Sequence, residues 1–139
     1  MDSRDLIERQ EELKQEVLDS FIDTFPQYEH MTDEYDDILW EEEEIVSWKD
    51  DLLDEIAEIG AIEALKDEVD SSEWEYGIDF IEEKDFIDYC EELTIDCGYI
   101  SKDLPAFIYN NIDWEGVADD LRIDYSEVTY EGKDYLFQD

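Results

Sequence analysis

The chain has 139 residues, 46 of them acidic and nine basic, which gives a formal net charge of −37. Acidic chains are often disordered, but this one is 42% hydrophobic and 14% aromatic, so it has the apolar residues to bury a core. The composition therefore argues against an unfolded acidic tail. The charge argues against direct contact with DNA or RNA, whose phosphates it would repel.

The first predicted element is a long amphipathic helix that is capped by Asp2 or Ser3 and ended by Pro26. Apolar residues recur along it at helical spacing: Leu6, Leu13, Val17 and Phe21. Residues 26–32 are expected to form a loop, and residues 33–45 are expected to hold a short helical stretch.

A second long helix is predicted to begin at Ser47, because Asp50 would then occupy the third helical position of a capping-box pattern. Its apolar face would be formed by Leu52, Ile56, Ile59, Ile62, Leu65 and Val69. Gly60 is a position where this helix could bend or break. The segment Asp70–Gly77 has the composition of a linker.

The C-terminal part predicts a short strand near residues 78–81 and a helix over residues 83–94. Two short helices follow, the second of them capped by Asp113. The chain would close with a β-hairpin whose two-residue turn is Gly132-Lys133.

Together these elements predict an α+β fold in two parts. Acidic helices make up residues 1–77, and a small helical domain that closes with the β-hairpin makes up residues 78–139. No apolar run is long enough to span a bilayer, and the N-terminus lacks the basic-then-apolar layout of a secretion signal. A cytoplasmic protein is expected.

The motifs of common active sites are missing from the sequence. One histidine, His30, and two cysteines seven residues apart, Cys90 and Cys97, do not form a zinc-binding pattern. There is no glycine-rich phosphate loop and no nucleophile elbow. The calcium-loop motif fails, since its sixth position would be Glu75 or Ala118 where glycine is required. The sequence predicts no catalytic residue, metal or cofactor, and a hydrolase or metal-dependent enzyme is the least favoured interpretation.

The negative charge is concentrated in the middle of the chain, where residues 15–83 carry 26 acids and two bases. Like charges repel one another in a compact fold, so this excess indicates a function for the field itself. A duplex carries one negative charge per ~1.7 Å of its axis, so 37 charges match about 63 Å of DNA. Such a surface would be attracted to a basic cleft, which is the physical basis of DNA mimicry by a protein.

The candidate partner-binding residues are acids between residues 33 and 58. They are Asp33, Glu34, Asp36, Asp37, Glu41, Glu42, Glu43, Glu44, Asp50, Asp51, Asp54, Glu55 and Glu58. Trp40, Trp48 and Trp74 are candidates either for apolar anchors at an interface or for core packing. Three other interpretations of the acids stay open: a solvated acidic face, adaptation to high salt, and an acidic chaperone for a basic protein.

Two C-terminal segments carry a resemblance to known proteins, FIEEKDFIDYCEELTIDCGYI and LPAFIYNNIDWEGVADDLRIDYSEVTYEGKDYLF. The matching elements are Phe86 and Tyr89 before Glu92-Leu93, then Ile112-Asp113-Trp114-Glu115, Ala118, Leu121 and Asp124-Tyr125. Residues 78–138 thereby resemble the C-terminal region of ArdA-type antirestriction proteins and a domain of small acidic phage proteins. The resemblance implies a phage or mobile-element origin and DNA mimicry. Residues 1–77 match no pattern of that family.

The expected function is that of a phage-encoded, non-enzymatic inhibitor that occupies the basic DNA-binding groove of a host defence complex. The partner would be a restriction enzyme or a CRISPR effector, and thus a protein or a protein–RNA complex in the host cytoplasm. The chain would bind neither nucleic acid nor membrane directly, and it would be a monomer or a homodimer. The alternative is an acidic binding module that sequesters or chaperones a basic protein.

Overall fold

The structure, a computed structural model, describes residues 1–138. Its helices are α1 (Ser3–Thr24), α2 (Glu43–Lys49), α3 (Leu53–Val69), α4 (Phe86–Asp96), α5 (Ala106–Tyr109) and α6 (Trp114–Arg122). Its strands are β1 (Ile81–Glu82), β2 (Ser126–Tyr130) and β3 (Lys133–Phe137). Short 3₁₀ helices cover Pro26–Met31, Tyr35–Asp37, Asp50–Leu52 and Glu83–Asp85. The predicted α+β fold class is confirmed, since acidic helices precede a small helical region that ends in a β-hairpin.

The chain divides into two compact units. Residues 4–70 form one, named here the helical unit, and residues 1–3 together with residue 71 onward form the other, the sheet unit. The predicted boundary after residue 77 differs from this division, because residues 71–77 pack within the sheet unit.

The core of the helical unit is a cluster of apolar and aromatic side chains. Its buried members are Leu13, Val17, Leu18, Phe21, Phe25, Ile38, Ile45, Trp48 and Ile59. Phe21 is fully buried, and its ring centroid lies 5.5 Å from that of Phe25, 5.9 Å from Tyr28 and 5.4 Å from Trp48. The apolar stripe predicted for α1 is therefore confirmed, and it supplies the inner face of this cluster.

The connection between α1 and α3 is made of short helices. The predicted loop after α1 is a 3₁₀ helix that begins at Pro26, a position that the fixed φ of proline favours. Ser47 lies inside α2 instead of starting the second long helix. Ile45 and Trp48 are both buried, and this tertiary packing outweighs the capping pattern. A 3₁₀ turn separates α2 from α3, which continues through Gly60 without a break.

The segment predicted as a linker is part of the sheet unit. Trp74 is buried, and its ring centroid lies 6.2 Å from that of Phe80. The Ser3 hydroxyl donates to the Trp74 carbonyl oxygen at 2.7 Å and accepts the Ile78 N–H at 2.7 Å. The polar composition of residues 70–77 does not indicate this packing. The segment is held by one buried aromatic side chain, Trp74.

The sheet has the strand order β1-β3-β2 and is antiparallel throughout. α4 and α6 pack on it through a buried cluster of Phe86, Cys90, Ala118 and Leu136. Asp113 caps α6 as predicted, because its side chain accepts the Gly116 N–H at 3.1 Å. No helix within residues 1–138 combines the length and apolarity needed to cross a membrane.

The hairpin turn lies one residue earlier than predicted. Tyr130 pairs with Lys133 across the strands, so the turn residues are Glu131 and Gly132. Their φ angles are 50° and 79°, and two successive positive φ values define the type I′ turn that suits the twist of a hairpin. Glycine adopts this conformation without strain, whereas glutamate does not.

Replacing Glu131 with asparagine is expected to stabilise the sheet unit by roughly 0.5–1 kcal/mol, because asparagine tolerates the left-handed conformation better than glutamate. Urea unfolding measures the change. Glu131→Gln is the matched control, since it removes the same charge and keeps the strained backbone. Equal stabilisation by the two substitutions would contradict the prediction and assign the gain to charge.

Candidate acidic binding surface

The first group of candidate acids, Asp33, Glu34, Asp36 and Asp37, lies on an exposed turn of the helical unit. One carboxylate oxygen of Asp37 accepts the Glu34 N–H at 3.0 Å and the Asp33 N–H at 3.2 Å. These bonds hold the turn in shape. Asp37 therefore positions the other three carboxylates, and Glu34 completes a reciprocal capping box with Asp37.

The second group, Glu41–Glu44, is exposed at the start of α2. Glu43 and Glu44 stand in the first helical turn, where the partial positive charge of the helix N-terminus favours acids. The Tyr28 hydroxyl donates to Glu44 at 2.6 Å, and this bond raises the pKa of Tyr28. Because Trp48 anchors α2 to the core, four charges are held at a defined place on the surface.

The third group is divided by the structure. Asp50, Asp51 and Asp54 are exposed, whereas Glu55 and Glu58 are only half exposed. Glu55 and Glu58 therefore do not lie opposite the apolar face of α3. Steps of about 100° per residue place these two glutamates on the buried side of the helix.

Glu58 is also engaged with a cation. Arg9 Nε donates to Glu58 Oε1 at 3.0 Å, and Arg9 Nη2 donates to Glu58 Oε2 at 3.2 Å. The hydrogen bond and the charge of Glu58 raise the pKa of Arg9. This bidentate ion pair links α1 to α3 within the helical unit. The carboxylate of Glu58 is therefore already engaged within the protein and is less available to a partner.

A line of acids on α1 was not among the partner-binding residues predicted from the sequence. Six exposed carboxylates recur at spacings of three or four residues: Asp5, Glu8, Glu12, Glu16, Asp19 and Asp23. These spacings place them within an arc of about 80° on the helix. We name this line the α1 acidic stripe. The spacing of these six acids can be read from the sequence, but partner binding was predicted for the denser acids of residues 33–58 instead.

The α1 acidic stripe has dimensions comparable to one strand of DNA. At a rise of about 1.5 Å per residue, its six carboxylates extend over about 27 Å, or one charge per ~5.4 Å. A DNA strand carries one phosphate per ~3.4 Å of axis. The stripe alone therefore reaches more than half the linear charge density of a strand.

The tryptophans belong to the scaffold. Trp48 and Trp74 are buried, which confirms the core-packing interpretation for both. Trp40 is half-buried, with its ring 6.1 Å from that of Trp48. The apolar side chains that the helical unit exposes are smaller ones: Met31, Leu39, Val46 and Leu53.

Three carboxylates of the sheet unit converge, with oxygens of Glu83, Glu127 and Asp134 within 4.8 Å of one another. The Arg122 guanidinium donates to Glu83 and to Glu127, both at 2.9 Å. The Thr129 hydroxyl donates to Asp134 at 2.7 Å. An arginine thus already offsets the charge of this group, which has the geometry of a surface ion-pair network.

The other residues weighed as metal ligands are one histidine and two cysteines. His30 is exposed. Cys90 and Cys97 are free thiols, the first buried and the second exposed. Burial raises the pKa of the Cys90 thiol, which disfavours the reactive thiolate.

No protein-family model, curated protein or solved structure matches the chain. The resemblance of residues 78–138 to ArdA-type antirestriction proteins therefore stays a prediction. Support for a function comes from the geometry of the acids themselves.

Proposed function

We propose that the protein is a phage-encoded DNA mimic that occupies the basic DNA-binding groove of a host defence complex, either a restriction enzyme or a CRISPR effector. The observation that carries the proposal is the α1 acidic stripe, together with the exposed acids of residues 33–54 on the same helical unit. The resemblance of residues 78–138 supplies the expectation of a phage origin.

The charge of the helical unit supports this function. Residues 4–70 contain 25 acids and five bases, and one of the bases, Arg9, is engaged with Glu58. Such a field accelerates encounter with a basic cleft and favours correct orientation. Because helices and a buried aromatic cluster already fix the acids, binding does not have to order a disordered segment.

The apolar neighbours of the acids support an interface in preference to a purely hydrated surface. Leu39, Val46 and Leu53 are between 36% and 52% exposed, and each lies within a few residues of the candidate acids. Adaptation to high salt favours acids that hold water, and it gives no reason to expose aliphatic side chains beside them. A partner surface would bury both kinds of group.

A second candidate function is sequestration of a basic protein without competition with DNA. It is favoured by one observation: the sheet unit is also acidic, with 21 acids and four bases in residues 1–3 and 71–139. Charge spread over both units would suit many basic partners. A DNA mimic instead requires one face to dominate.

Capture from host lysate separates the two functions. The tagged full chain is incubated with lysate, washed at moderate salt, and challenged with increasing duplex DNA. Mononucleotides at the same phosphate concentration are the control. DNA mimicry predicts one dominant DNA-binding complex that the duplex releases and mononucleotides do not. A broad set of basic proteins, or a single partner indifferent to the duplex, would refute mimicry and favour sequestration.

A further inference from the structure

An apolar groove of about 300 Å³ lies in the sheet unit, between the C-terminal half of α4 and α6. Its lining residues are Leu93, Thr94, Tyr99, Val117, Asp120 and Leu121. Tyr99 is 79% exposed, and the aliphatic members are half-buried. The groove shares no residue with the acids proposed for DNA mimicry.

The walls of the groove are apolar in their chemistry. The Thr94 hydroxyl donates to the Cys90 carbonyl oxygen at 2.7 Å, so its one donor proton is used within α4. Among the lining residues, Asp120 alone is charged. A ligand that fills the groove therefore meets apolar surface and one carboxylate.

One margin of the groove is acidic. Asp96, the last residue of α4, follows Leu93 by three residues, and this helical spacing makes it a near neighbour of a lining side chain. Asp96 and the lining residue Asp120 are both exposed. Three of the four bases of the sheet unit are held in ion pairs: Lys84, Arg122 and Lys133. The fourth, Lys102, is exposed and follows the lining residue Tyr99 by three residues. An apolar floor beside the carboxylates of Asp96 and Asp120 is complementary to a ligand with an apolar stripe beside positive charges.

We propose that this groove binds an amphipathic cationic helix of a partner protein. A third helix laid along two packed helices buries apolar side chains at i, i+3 and i+4 in their groove, and its lysines or arginines meet Asp96 and Asp120. A second copy of the chain is a poor occupant, because each copy carries a net charge of −37. An anionic lipid surface is repelled for the same reason.

The test uses three synthetic peptides of equal length and charge and the full chain at physiological salt. One peptide has leucine and lysine arranged with helical period, one has the same composition in strict alternation, and one replaces leucine with serine. Fluorescence anisotropy measures each affinity. The proposal requires the helical-period peptide to bind more tightly than both others, and equal affinities would show that charge alone is responsible.

Two exposed tyrosines of the sheet unit provide matched variants. Tyr99 lines the groove and is 79% exposed, whereas Tyr76 is 74% exposed and does not line it. Tyr99→Ser is expected to weaken the helical-period peptide about fivefold or more, and Tyr76→Ser is expected to leave it unchanged. Both side chains are solvent-exposed, so both variants should fold, which circular dichroism checks.

Amide NMR shifts locate the peptide independently of the variants. Binding in the groove should perturb Leu93, Val117 and Leu121 most. Shifts centred on the α1 acidic stripe, or equal affinities of the two tyrosine variants, would overturn the proposal. A dimer in sedimentation that Tyr99→Ser disrupts would overturn it as well and assign the groove to a second copy. The peptide affinities, NMR shifts and sedimentation do not depend on DNA competition. If the capture experiment refuted DNA mimicry, these measurements would still test the groove.

Discussion

Phe21→Ala is expected to lower the free energy of unfolding of the helical unit by about 3–5 kcal/mol. The side chain is fully buried, and three aromatic rings lie with centroids 5.4–5.9 Å from its own. Alanine would leave a cavity that these rings cannot close by small rotations, and the aromatic contacts would be lost as well. Since a small domain has only about 5–15 kcal/mol of net stability, this one change removes a large part of it.

Urea unfolding followed by tryptophan fluorescence measures this effect, because Trp48 lies against Phe21. Phe107→Ala is the matched control: that side chain is 73% exposed, and its removal should change stability by less than about 0.5 kcal/mol. The milder Phe21→Leu keeps most of the volume and should retain the fold with a smaller loss. Similar results for the Phe21 and Phe107 alanine variants would contradict the proposed role of the aromatic cluster.

Converting all six acids of the α1 acidic stripe to their amides is expected to weaken binding of the proposed defence complex by about 100-fold. Electrostatic steering by a charged face raises association rates by roughly 10–10³, and the amides keep the shape and the helical spacing of the acids. Binding affinity in the capture assay, measured at several salt concentrations, checks this. The salt dependence should become shallower, because fewer charge contacts remain to be screened.

A matched control variant amidates six exposed acids of the sheet unit. These are Glu73, Glu75, Asp88, Asp103, Glu115 and Glu131. Both variants carry six fewer negative charges, so a difference between them reports where the charge lies and not how much there is. DNA mimicry by the helical unit predicts that the control binds nearly as well as the wild type. Equal losses would point to total charge and therefore to sequestration.

Patterns that are local in the chain predicted much of the fold. The spacing of apolar residues marked α1, and Pro26 marked its end, because a helix places residues three and four apart on one face. A two-residue turn signal marked the hairpin. Val128 and Tyr130 are buried in β2, and Tyr135, Leu136 and Phe137 are buried in succession in β3. The predicted turn was displaced by one residue. Gly132 was predicted as the first turn residue, whereas it is the second, after Glu131.

Errors in the predicted elements came from contacts between distant residues. Ser47 had the pattern of a helix start, but burial of Ile45 and Trp48 in the aromatic cluster makes it the middle of α2. The segment around Trp74 had the composition of a linker, but a hydroxyl 71 residues away holds it by a hydrogen bond. Neither partner could be found from the surrounding sequence, since each depends on how the chain returns on itself.

The candidate surface likewise combines one property that the sequence determines with others that depend on the tertiary structure. Net charge is a sum over residues and does not depend on the fold, so the sequence by itself determined that the protein is strongly acidic, and the basic partner is a prediction drawn from that charge. Which carboxylates are available is a property of the tertiary structure alone. Glu58 is engaged by Arg9, 49 residues away, and Asp37 is engaged by its own turn, whereas the α1 acidic stripe is exposed along its length. The physical reason is that charge is additive, while exposure and pairing are decided by which surfaces the folded chain brings together.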